Sequence, residues 1–258
     1  MKGDLASVSM PVISAMIVFR TLLGQVLRHM RQRRYLGSAL VFTLLLIVGT
    51  GLSITMARNA NYALDASLRA ALFQVAPITL VLILGGRLWS DWHASKLLHY
   101  YFGRPHVRRL FPWSIALPTV VGTLFLIGVG ALSLGLLLTL TDTLVWQDYA
   151  PKLMRAFSGL ALLTLVYTAM AAFWHAYRPH TATNWMLRYW LVFEFGASFI
   201  PGPFRLLSMN YLAQGLGGLP PKGWLADSTP QLSTPLVLLI LSAVSLTFWI
   251  SSTRGVDS

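Results

Sequence analysis

Six histidines and eight acids are the side chains through which this 258-residue chain has the means to do chemistry. His29, His93, His99, His106, His175 and His180 show no H-E-x-x-H or Cys/His spacing of the kind that holds zinc, and no acidic cluster accompanies them. Their pattern reads as solvated or interfacial histidine. The chain has no Cys, which rules out disulfides and thiolate metal sites without fixing a compartment. The acids are scattered, with no pair at the helical spacing that grips a metal–phosphate complex. Serine and histidine cannot be joined into a nucleophilic triad. The string G-x-x-x-x-G-K-[ST] is absent, and Lys222 in "LPPKGW" has the wrong neighbours for a phosphate loop. The expectation is a protein that is not an enzyme, carries no cofactor or metal of its own, and leaves any ATP to another chain.

Glu194 stands apart. It lies inside "YWLVFEFGASFI", where a charge removed from water costs a few kcal/mol or more unless it is paired or wet. Two roles stay open for it, a functional group on a pathway or a structural one bonded to a neighbouring helix. An amide here retains volume and hydrogen bonding while losing the charge.

The elements that position these groups follow from composition. The chain is 55% hydrophobic and 11% charged, with mean hydropathy +0.63. Soluble domains carry roughly 25% charged residues. Several apolar runs reach the ~20 residues that cross a bilayer as helix. The pattern predicts an all-α polytopic membrane protein, one transmembrane domain over 1–258 with six spans at 35–57, 68–89, 113–140, 153–177, 185–200 and 232–252. Pro77 falls inside the second, which is tolerable where neighbouring helices satisfy a freed carbonyl. The N-terminal "MKGDLASVSMPV" has no apolar core or cleavage site of a signal peptide.

Charge orients the spans. With both termini inside, the cytoplasmic segments collect Lys2, Arg20, Arg28, Arg31, Arg33, Arg34, Arg87, Lys96, Arg104, Arg108, Arg109, Arg178, Arg188 and Arg254. The outer side receives Arg58, Arg69, Lys152, Arg155, Arg205 and Lys222, along with Asp65, Asp142, Asp148 and Asp227. Basic residues gather on the cytoplasmic side of membrane proteins. The net charge of +12 is therefore assigned to the bilayer and not to nucleic acid. Trp89, Trp92, Trp113, Trp174, Trp185 and Trp249 are expected at the inner interface, Trp146 and Trp224 at the outer one, as anchors. The expected location is the bacterial inner membrane, multi-pass.

Two segments do not span. Over 13–34, Met16, Phe19, Leu23, Val26, Leu27 and Met30 form one stripe, opposite Ser14, Thr21, Gln25, Arg28 and Gln32. This predicts an interfacial helix whose arginines reach anionic headgroups. Over 90–109, Ser90 is placed to cap a short helix with Asp91 in its first turn. Ala94, Leu97, Leu98, Tyr101 and Phe102 share one face. His93, Ser95, Lys96, His99 and Tyr100 share the other, with Trp92 among them. Gly103 and Pro105 end the helix. One face is expected to bury on the bundle and the other to present itself to a partner.

Beyond Glu194, the stretch 201–229 is apolar but broken by Pro201, Gly202, Pro203, Gly215, Gly217, Gly218, Pro220 and Pro221. A re-entrant pair of short helices fits, since irregular backbone at membrane depth must be protein-covered or line a cavity. Gly49, Gly51, Gly122, Gly128, Gly130 and Gly135 are expected to permit close helix approach.

The order of these elements resembles the ABC-2 type permease family, the transmembrane subunits of type V-fold ABC exporters. "LRHMRQRRYLGSALVFTLLL" is similar to the family's connecting helix entering span one. "SDWHASKLLHYYFGRPHVRRLF" is similar to its coupling-helix loop, although Ser90–Asp91–Trp92 replaces the usual acidic-plus-glycine opening. "VFEFGASFIPGPFRLLSMNYLAQGL" is similar to its fifth span and re-entrant region. The resemblance implies an exporter subunit working as a homodimer or related heterodimer within the lipid bilayer. A separate ATPase subunit would hold ATP and Mg. Asp91, Trp92, His93, Lys96, Tyr100 and Arg104 would couple to that subunit, and Glu194, Pro201, Gly202, Pro203 and Arg205 would belong to the translocation pathway. The alternatives are an ion-coupled carrier or channel, which needs inverted repeats or more intramembrane polar groups, and an integral-membrane enzyme.

Overall fold

Leu, Val and Ala rich runs without water to bond their backbone groups must bond them internally, and every element here does so as helix. The computed structural model describes residues 12–57, 65–66, 68–94, 105–141, 146–196, 208–218 and 234–254. Among them no strand occurs. We number the helices α1 (Val12–Met30), α2 (Arg33–Thr55), α3 (Leu68–Val75, Ala76–Val81, Leu82–Gly86 and Arg87–Ala94, following one another without a break), α4 (Pro105–Leu140), α5 (Trp146–Tyr177), α6 (Ala182–Tyr189 and Trp190–Gly196, also unbroken), α7 (Met209–Leu216) and α8 (Thr234–Arg254).

Among the described residues, four stretches are long and apolar enough to cross a membrane: Arg34–Thr55, Arg69–Trp92, Leu110–Leu140 and Trp146–Tyr177. At about 1.5 Å per residue each covers the ~30 Å hydrocarbon core. The chain is an all-helical membrane protein. The apolar part of α8, Leu236–Ser252, is shorter. α6 has only eight α-helical and seven π-helical residues.

α5 is the axis of the bundle, in contact with α3, α4, α6, α7 and α8. Its most apolar window is 61% buried, against 28% for α2, so α5 is interior and α2 turns most of its surface outward. Small residues bring the long helices together. Gly135 lies under Tyr149 and Trp146, and Tyr149 donates its hydroxyl to the Ala131 carbonyl at 2.8 Å, closing α4 on α5. Gly51, Gly122, Gly128 and Gly130 also meet neighbouring side chains, as expected of packing glycines, whereas Gly49 faces open space. At the far end Lys152 Nζ pairs with Asp65 at 3.1 Å, tying the chain just before α3 to α5.

α1 departs from the expected stripe. Its buried line is Val18, Leu22, Val26 and Met30, while Met16 and Leu27 stand exposed. These four residues lie four apart, the ridge that packs into a neighbouring helix, and α1 uses it against α4. The helix therefore joins the bundle through this ridge.

The 90–109 segment also differs. Ser90 is not a cap: its hydroxyl donates back to the Gly86 carbonyl at 3.1 Å, inside a helix that has run unbroken from Leu68. Pro105 stands in the first turn of α4, where a proline forfeits no hydrogen bond. Helix α3 thus runs on to Ala94, and α4 is described from Pro105. Only 95–104, with Lys96, Tyr100 and Arg104, lies outside the described residues. So do Pro201, Gly202, Pro203 and Arg205.

Candidate functional site

α6 changes winding at Trp190, and its last two turns are π-helical. Because a π turn joins residue i to i+5, Tyr189 and Glu194 come to one face. Tyr189 donates its hydroxyl to Glu194 Oε1 at 3.0 Å. The carboxylate points into protein, 1% exposed, and not toward lipid.

Opposite it stands the start of α7. The first N–H groups of any helix have no partner within it and carry a partial positive charge. Here Met209 N–H donates to Oε1 at 3.2 Å and Asn210 N–H to Oε2 at 2.9 Å. Ser208 is the N-cap, its oxygen accepting from Tyr211 N–H at 3.1 Å while its own proton goes to Oε2 at 2.6 Å. Four donors meet four lone-pair positions, which offsets the loss of hydration on burial. What this arrangement does is hold α6 to α7. Of the two roles open in the sequence, these bonds are those of the structural one.

α7 itself lies against α5 at two glycines. The Ala213 carbonyl of α7 rests where a Cβ of Gly159 would be, and Gly217 sits against Ala156 and Phe73. Gly218 follows at φ +66°, the left-handed turn that ends α7. Asn210 and Gln214 are buried and bonded to each other, Nε2 to Oδ1 at 3.0 Å. α6 further reaches α3, since Trp190 Nε1 donates to the Gln74 carbonyl at 2.8 Å, just before Pro77 disturbs that helix's ladder. Ser208 and Tyr189 were not singled out in the sequence. A serine three residues before an amide it can accept from is the signal that would have found the cap.

The second candidate lies at the opposite end of the bundle, where α3 leaves it. Asp91 accepts a short hydrogen bond from the Tyr35 hydroxyl and pairs with Arg34 at 3.0 Å. One turn earlier Arg87 Nη1 donates to Arg34 O at 3.4 Å and Ser38 Oγ at 3.3 Å. Two residues of α3 thus grip the first turn of α2. Asp91 serves that grip and not the start of a helix.

Trp92 is a correction. The helical pattern grouped it with the outward face, yet it is 2% exposed, tilted against Phe111 at 5.0 Å and edge-on to His29 at 5.9 Å. Trp89 is equally buried, 5.2 Å from Phe111 and stacked on His175 at 6.2 Å. Both indoles are core residues, because helices α1 and α4 close over them; Trp113, Trp185 and Trp249 are exposed. His175 is likewise buried and neither solvated nor interfacial. Its Nδ1 donates to the Ala171 carbonyl at 2.7 Å, and Nε2 lies 3.5 Å from Ser90 Oγ. Of the six residues expected to couple to a partner, Asp91 and Trp92 face α2 and the core. His93 lies on the last turn of α3 with only its backbone described.

No family model matches this sequence, and neither the curated proteins nor the solved structures contain a match.

Proposed function

We propose that this chain is the membrane subunit of an ATP-driven transporter of the ABC-2 permease kind, probing no nucleotide itself and driven by an ATPase subunit at segment 90–109. It crosses the inner membrane six times, α6 with the residues after it forming the fifth crossing and α8 the sixth, with both termini cytoplasmic. Two copies, or two related chains, enclose the path of an amphipathic or lipid-like substrate, and the region after Glu194 caps its outer end.

The observation that carries this reading is the unbroken run of α3 from Leu68 into the segment. A continuous helix carries a push along its axis, and here Pro77 and the π-helical stretches are the places where α3 can bend. The Arg87 and Asp91 contacts would pass the same push to α2, so two spans move when the segment moves. Asp65 and Lys152 restrain the far end, which turns displacement at one end into tilt. His93, Lys96, Tyr100 and Arg104 are then the groups left for the ATPase, with Asp91 and Trp92 acting behind them as the seating of the lever.

The test is functional coupling. Replacing His93, Lys96 and Tyr100 together by Ala should leave insertion intact and uncouple ATP hydrolysis by the complex from transport. Unchanged transport in that variant sinks the proposal.

A further inference from the structure

At the end of the bundle where α3 leaves, α5 turns into α6 through a run of stacked rings. The indoles of Trp174 and Trp185 lie parallel, 5.2 Å apart with 8° between their planes. Phe173 meets Trp174 edge-on at 5.5 Å and Tyr177 at 5.4 Å. Arg188 completes the stack, its guanidinium 5.4 Å from the Trp185 ring centre. Trp185 is 37% exposed, and Arg178 and Arg188 are exposed.

Three properties of this platform point to one ligand. First, it is cationic without compensation: the sequence has no Asp or Glu from Tyr149 to Phe193, and neither arginine has an ion-pair partner among the described residues. Second, stacking occupies the face of the Arg188 guanidinium but leaves its in-plane N–H groups free, in the fork that matches phosphate oxygens. The indole beneath restricts the side chain, so less freedom is lost when those donors bind. Third, the platform stands where the apolar stretch ending at Tyr177 ends, the level of headgroups beside a bilayer. We propose that Arg188, stacked on Trp185 and supported by Arg178, binds the phosphate of an anionic phospholipid headgroup. This assignment is independent of the transport reading: it holds whatever the chain moves.

The experiment is native mass spectrometry of the full chain in a non-ionic detergent, titrated with phosphatidylglycerol or phosphatidylcholine of equal chain length. The expected result is preferential retention of phosphatidylglycerol. It should fall roughly five- to tenfold in Arg188→Gln, the weight of one basic residue at an anionic surface. Arg188→Lys should restore it only in part, since an ammonium keeps the charge but not the fork. Arg155→Gln, an exposed arginine at the other end of α5, should change little. Glycerophosphoglycerol, the headgroup without chains, should not compete, which separates a lipid site from a free-phosphate site. Arg188 is exposed, so its substitution leaves the fold standing, and an unchanged thermal midpoint verifies that. Equal retention of the two lipids, full retention by Arg188→Gln, an equal loss in Arg155→Gln, or competition by the free headgroup would each overturn the assignment.

Discussion

The Ser208 hydroxyl donates to Glu194 Oε2 at 2.6 Å while accepting from Tyr211 N–H, so a single side chain joins the end of α6 to the first turn of α7. An amide at position 194 does not keep these bonds. Its one oxygen accepts for two, and its NH₂ group confronts donors already aimed at the site. Glu194→Gln is therefore expected to destabilise the protein by about 1–3 kcal/mol or more, the cost of stranding buried donors. This corrects the expectation that hydrogen bonding is retained. Ser208→Ala should cost about 1 kcal/mol through the lost cap. Thermal unfolding in detergent measures both. A Glu194→Gln protein as stable as wild type would mean that the carboxylate does not hold α7.

Gly159→Ala tests the same anchorage from the other side. A methyl there runs into the Ala213 carbonyl, backbone that cannot swing aside. Overpacking of this kind typically costs about 1–3 kcal/mol. The expected signature is a lower thermal midpoint together with faster proteolysis near α7. An unchanged midpoint would show that α7 does not sit on α5 as described.

At the α3–α2 grip, two contacts of Asp91 differ in weight. Its pair with Arg34 is largely solvent-exposed, with side chains 60% and 39% accessible, and exposed pairs contribute about 0–1 kcal/mol. Tyr35 is fully buried, and a hydrogen bond to a charged group is worth about 1.5–3 kcal/mol. Tyr35→Phe should thus destabilise more than Arg34→Gln. A double-mutant cycle with Asp91→Asn should assign most of the coupling to Tyr35. Larger coupling to Arg34 would reverse the ranking.

How far these features were legible in the sequence depends on what each requires. Apolar length alone marked the long helices, since a run such as 35–57 has nowhere else to go. Glu194 was visible because a lone acid among aromatics is costly. Its partners were not, because the π winding that aligns Tyr189 with it and the approach of α7 are tertiary events. Trp92 was misplaced for a related reason. A wheel ranks residues by polarity on one helix, while burial at 92 is decided by α1 and α4 closing from outside. Ser90 lost its meaning as a cap because cap signals are local, whereas the continuity of α3 comes from packing along its whole length.

The proposed role of segment 90–109 as the point where force enters admits a direct measurement. The chain has no cysteine, so a single Cys placed at Lys96 or Tyr100 is the only thiol available for cross-linking in living cells. The expected product joins this chain to a P-loop ATPase identified by mass spectrometry, in a complex whose ATP hydrolysis no longer drives transport when His93, Lys96 and Tyr100 are replaced by Ala. A purified chain that hydrolyses ATP with no partner, or cross-links that capture no ATPase from either position while the protein remains active in transport, would contradict it.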